Sequence, residues 1–126
     1  MADAEHPTLD PDSMREAIIV MAVESWRFSR VFERVLTKLE SKEQQRYKSQ
    51  YRWFSKKVDD ALELAGLHIV NVEQEQFSPG IAATPLNLDD FNHGEELVID
   101  QMIEPIIMGN QGLVKTGTVT LRKKSV

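Results

Sequence analysis

The stretch Gly66-Leu67-His68-Ile69-Val70 decides the fold. Ahead of it, apolar residues recur three and four positions apart; behind it they alternate with polar ones. Glycine accepts the left-handed backbone that ends a helix, so Gly66 reads as a C-terminal cap. Leu67, Ile69 and Val72 then stand among polar neighbours, as in a half-buried strand. The change of period predicts an α+β chain: a flexible arm over 1–11, a helical hairpin over 12–66 and a small all-β wing over 67–126.

Upstream, Asp12 or Ser13 suits a helix N-cap, with Glu16 three residues past Ser13 as a capping-box partner. No Gly or Pro interrupts the chain from there to Leu39, and Met21, Ser25, Phe28, Phe32, Val35 and Leu39 fall on one helical face. Ser41-Lys42-Glu43 offers a polar break, with Ser41 as a cap. A second stripe follows: Tyr47, Tyr51, Phe54, Val58, Ala61 and Ala65. Two such stripes with a short connection predict an antiparallel hairpin with heptad-like packing.

A hairpin alone leaves a problem. Ala17-Ile18-Ile19-Val20-Met21-Ala22-Val23 is apolar around the whole helix. Leaving such side chains wet forfeits roughly 1.5–3 kcal/mol each. A second copy of the chain solves this by making a dimeric four-helix bundle. Its interface would use Ile18, Ile19, Met21, Val23, Trp26, Phe28 and Phe32. The alternative is that this segment packs on the chain's own β part.

Downstream, Phe77-Ser78-Pro79-Gly80 is a turn, and Asn87 to Glu96 a polar connection. Leu97 to Glu104 reads as a strand and the apolar run continues to Met108, but Pro105 demands an edge or a bulge. Gly109-Asn110-Gln111-Gly112 is a hairpin turn, and Leu113 to Lys123 a last strand with Val119 and Leu121 facing the core.

The 126 residues suffice for one domain or two very small ones, and 41% hydrophobic content is enough to fold. A net charge of −5 argues against general nucleic-acid binding. The chain contains no cysteine, which excludes disulfides and thiol chemistry. No apolar run is long enough to span a membrane and Met1 to Asp12 lacks the features of a signal peptide, so a cytoplasmic location is expected. His6, His68 and His93 form no ligand pair, and Asp89 to Glu96 lacks the spacing of a calcium loop, so no metal or cofactor is expected. No nucleophile elbow or phosphate loop occurs, and the reading is of a protein that is not an enzyme.

Residues 28–124 resemble the GrpE family, nucleotide exchange factors of DnaK-type chaperones. Val31-Phe32-Glu33-Arg34-Val35 up to Leu39 is similar to the family's first-helix segment. Phe77-Ser78-Pro79 is similar to its apolar-Asp-Pro turn, Val98 to Met102 to its central wing strand, and Val119-Thr120-Leu121 to its closing strand. The chain departs from the family at Ala82-Ala83-Thr84, at Pro105-Ile106 and at Lys115-Thr116-Gly117, where Lys115 stands near an arginine position. Only residues from about 12 onward stand where the family has its long N-terminal helix.

The resemblance implies a homodimer that engages the nucleotide-binding domain of a DnaK-type chaperone and hastens ADP release. By position it nominates Glu40, Phe77, Pro79, Met102, Lys115 and Leu121 as contacts. Met102 and Leu121 serve equally well as wing core. A GrpE-like adaptor without exchange activity is the alternative.

Overall fold

The computed structural model describes residues 10–125. The arm expected over 1–11 lies outside them except for its last two residues, and those belong to the first helix and its cap. Helix α1 spans Pro11–Leu36 and α2 spans Ser41–Leu64. Six strands follow: β1 Leu67–Val70, β2 Ala83–Pro85, β3 Leu97–Glu104, β4 Ile106–Gly109, β5 Gly112–Lys115 and β6 Gly117–Lys123.

Helix α1 starts two residues earlier than a cap at Asp12 would place it. Its cap is Asp10, whose carboxylate accepts from the Ser13 N–H at 2.7 Å, and Pro11 fills the first helical position. Proline has no N–H to leave unsatisfied there, which makes it a good starter. The helix stops at Leu36, short of Leu39. The Gln44 amide reaches back 2.9 Å to the Leu36 carbonyl and satisfies one of the acceptors the helix end leaves open. Ser41 is the first helical residue of α2 rather than its cap; Glu40 takes the cap position and makes no side-chain capping bond. At the other end Gly66, with φ of +73°, closes α2 as expected.

The strands form two three-stranded sheets, in orders β1-β4-β5 and β2-β6-β3. The run from Leu97 to Met108 is broken at buried Pro105: β3 belongs to one sheet and β4 to the other. The last strand is broken likewise at Thr116, so β5 and β6 also lie in different sheets. The two ribbons therefore cross between sheets side by side. A Cβ on Gly117 would lie 2.8 Å from Ile106 Cγ1 and 2.9 Å from the Glu104 carbonyl oxygen, so only glycine fits at the crossing.

Two apolar cores result. One gathers Val72, Leu97, Ile99, Met102, Ile106, Val119 and Leu121 inside the wing. The other joins Ala22 and Val23 of α1 to Leu62, Leu67 and Ile107, with Ile18 and Ile19 partly buried against it. Part of the apolar α1 segment thus packs on the chain's own β wing. Val23 is buried there and is removed from the expected dimer interface. No helix among the described residues is long and apolar enough to cross a membrane.

Irregular segments finish the wing. Residues 74–77 run along the outer edge of β3: Gln74 N–H donates to the Ile99 carbonyl, Ile99 N–H to Glu75, and Phe77 N–H to Leu97, each at 2.9 Å. Asn87 uses its side-chain amide like a peptide group, donating to the Leu121 carbonyl at 3.0 Å and accepting from the Leu121 N–H at 2.8 Å.

Candidate partner-binding surfaces

The nominated wing contacts separate into two sets. Met102 is fully buried and Leu121 nearly so, both in the wing core. Neither side chain is available to a partner, so both are core residues rather than anchors. Inward positions alternate along β6, and a register shift between Ile99 and Gln101 of β3 brings Met102 onto the same inward face.

The turn behaves differently. The Ile81 N–H donates to the Ser78 carbonyl at 3.1 Å across Pro79 and Gly80, closing a β-turn with proline at its favoured second place. Pro79 is exposed, and Phe77 is half-buried with one side against the wing core. The Phe77–Leu97 backbone bond holds this turn against β3.

Lys115 is only partly free. Its Nζ lies 3.7 Å from Glu104 Oε1, and Glu104 also meets Arg27 at 3.2 Å and Thr118 at 3.1 Å. Glu104 therefore joins α1, β5 and β6. Glu40 is exposed at the helix-to-helix connection, at the opposite end of α2 from Gly66.

On the helices, Trp26 turns inward and is likewise removed from the expected dimer interface. Its indole N–H donates to the Met102 carbonyl, and its ring lies 3.9 Å under the Arg30 guanidinium. Met21 and Phe28 are well exposed, at 68% and 63%, and Phe32 is half-buried beside Phe28 and Tyr51. Ala17, Ile18, Met21, Phe54, Val58 and Ala61 line an apolar groove of about 470 Å³ between α1 and α2. Val31 and Val35 extend the wet apolar surface of α1.

A polar crevice of about 460 Å³ opens where α1, α2 and the wing meet. Arg30 bridges Glu33 at 3.3 Å and Glu73 at 3.0 Å, while its Nε is buried without a partner. The Tyr51 hydroxyl donates to Glu33 at 2.9 Å. Burial first, and then the Glu33 carboxylate, push the Tyr51 phenol above its ordinary range. Asp59 at the crevice wall is raised by burial and by neighbouring Asp60, against the opposing pull of Lys56.

The sequence reading missed this cluster. The Arg30–Glu33 spacing of three was a visible signal. Glu73 carried none, because it reaches Arg30 only through the bend after β1. Among the described residues no three His, Cys, Asp or Glu side chains come together as a metal-binding group. The turn offers an apolar contact, the groove an apolar seat, and the crevice hydrogen bonding with a surplus of carboxylates. Compared with known proteins, the chain matches no family model, no curated protein and no solved structure.

Proposed function

We propose that this chain is a GrpE-like co-chaperone: a homodimer through its helices, whose wing binds the nucleotide-binding domain of a DnaK-type chaperone and accelerates ADP release. One observation carries the reading. A helical hairpin with a wet apolar groove is followed by a β wing, and the wing's turn, central strand and closing strand fall on the residues that bear the family resemblance. The groove with Met21 and Phe28 supports a second copy as its cover, completing a four-helix bundle that uses Ile18, Ile19 and Phe32 at its margins.

Exchange works by differential affinity. A factor that binds the open nucleotide cleft more tightly than the closed one shifts the chaperone toward release. Equal affinity for both would shift nothing. Phe77 and Pro79 supply the apolar contact on a turn fixed to β3, and Glu40 and Lys115 orient the partner by charge.

A second reading has its own support. With Met102 and Leu121 in the core and Lys115 beside Glu104, few contacts remain for forcing a cleft open. That favours a dimeric adaptor without exchange activity. The deciding measurement is release of fluorescent ADP from the DnaK-type chaperones of the source organism. Faster release, reduced by Phe77→Ala and by Lys115→Glu, supports the exchange factor. Tight binding without acceleration selects the adaptor. Absence of binding to every such chaperone removes both.

A further inference from the structure

The middle of α2 carries a charge opposite to that of the molecule. From Gln44 to Val58 the chain holds Arg46, Lys48, Arg52, Lys56 and Lys57 and no acidic residue, which is +5 within a chain of −5 and leaves −10 on the rest (−5 minus +5). All five cations are exposed. Only Lys56 has a salt-bridge partner, Asp60, among the described residues.

Helical periodicity puts Arg46, Trp53, Lys56 and Lys57 on the side away from Tyr51 and Leu62, which face the rest of the chain. Trp53 sits in the middle of the stripe, 65% exposed, with the Lys57 ammonium 5.2 Å from its ring centroid. An exposed tryptophan with a cation against its ring suits a face that meets a partner. Tryptophan and arginine are the types that dominate protein interfaces.

The patch is also bounded. Asp59, Asp60 and Glu63 follow it, and at its other end Lys42 and Glu43 stand side by side. From Arg46 to Lys57 it runs about 17 Å along the helix axis, the reach of about five extended residues. A long nucleic acid would overrun the C-terminal end onto acidic surface. A bilayer would find two exposed apolar side chains on this side of α2, Trp53 and Leu64, set apart by the acidic Asp60 and Glu63.

We propose that this basic face of α2 is a docking site for a short acidic segment of a partner protein, with Trp53 as its apolar anchor. Arg46, Arg52 and Lys57 attract and align the segment, and Trp53 covers an apolar side chain near its middle. The site is separate from the wing turn, and it meets the groove between the helices only at Lys57, which stands on the rim of that groove.

The test is fluorescence anisotropy of the full chain with a labelled peptide of about ten residues, glutamate throughout except for one central leucine. Saturable binding at low ionic strength, weakening as salt is added, is expected. The variant Arg46→Glu/Arg52→Glu/Lys57→Glu should lose at least tenfold in affinity. Trp53→Ala should lose severalfold with the salt dependence unchanged, and Phe77→Ala should bind normally. If the glutamate variant loses helix content by circular dichroism, the corresponding Gln variant decides, with the same loss expected. No binding by the natural chain, undiminished binding by the charge variants, or tighter binding to oligothymidylate or phosphatidylserine vesicles than to the peptide would each overturn the proposal.

Discussion

Trp26 donates its indole N–H to the backbone carbonyl of Met102 at 2.6 Å, across 76 positions of sequence. The N–H of the same Met102 donates to Glu73 Oε2 at 2.8 Å. Residues 74–77 cover the outer edge of β3 only as far as Ile99. Beyond it, two side chains, one from α1 and one from the bend after β1, satisfy the edge. Arg30 stacks on Trp26 and pairs with Glu73, so a single cation ties both together.

Trp26→Phe keeps an aromatic ring but removes the N–H and part of the indole's volume. The Met102 carbonyl is then left without its donor, at a cost of about 1–3 kcal/mol. Urea unfolding should show a lower midpoint with an unchanged slope. Glu73→Gln keeps an acceptor and should cost less than Glu73→Leu.

Gly117→Ala should destabilise by about 1–3 kcal/mol, since its new methyl meets both Ile106 and the Glu104 carbonyl. Gly80→Ala is the control, because nothing lies near the Cβ it would add. Thermal melts of the two variants check the difference.

The two faces of α1 should separate under mutation. Met21→Asp, on the wet groove, is expected to convert a dimer into a folded monomer by light scattering at micromolar concentration. Val23→Asp is expected to unfold the chain, because it places a carboxylate among Leu62, Leu67 and Ile107. A Met21→Asp protein that scatters as the natural one does would remove the groove from the dimer reading.

Asp59 gives a pH dependence. Its carboxyl is raised in the folded chain, so its contribution is fully present below its ordinary pKa of 3.8 and is lost as pH rises through the folded value. The ionised form is therefore unfavourable at neutral pH. Asp59→Asn should raise the melting temperature at pH 7, modestly because the residue is largely exposed, and the gain should vanish as pH falls below about 4.

The helices were legible because Gly66 and the two apolar stripes are local signals. The turn at Pro79 and the inward side of β6, with Val119 and Leu121, were legible for the same reason. The cap at Asp10 was two positions before the nearer residue considered, and Pro11 was the missed clue. The short parallel strand Ala83–Pro85 was not legible, since its pairing with β6 is decided by residues over thirty positions away. Trp26 and Val23 were set on the wrong surface because periodicity gives the direction of a side chain and not its neighbour. Whether the wing or another copy covers α1 depends on where the chain returns.

The paired crossings at Pro105 and Thr116 have a mechanical meaning. Each sheet owns one half of the same two ribbons, so neither can peel away while the other stays whole. The amide protons of β4 and β6 should then exchange with solvent as one block rather than sheet by sheet. A load on the turn at Phe77 passes through its backbone bond to Leu97, along β3 to Met102, and through the indole of Trp26 into α1. The turn and the helix are thus tied to the two ends of one stretch of β3, Leu97 to Met102.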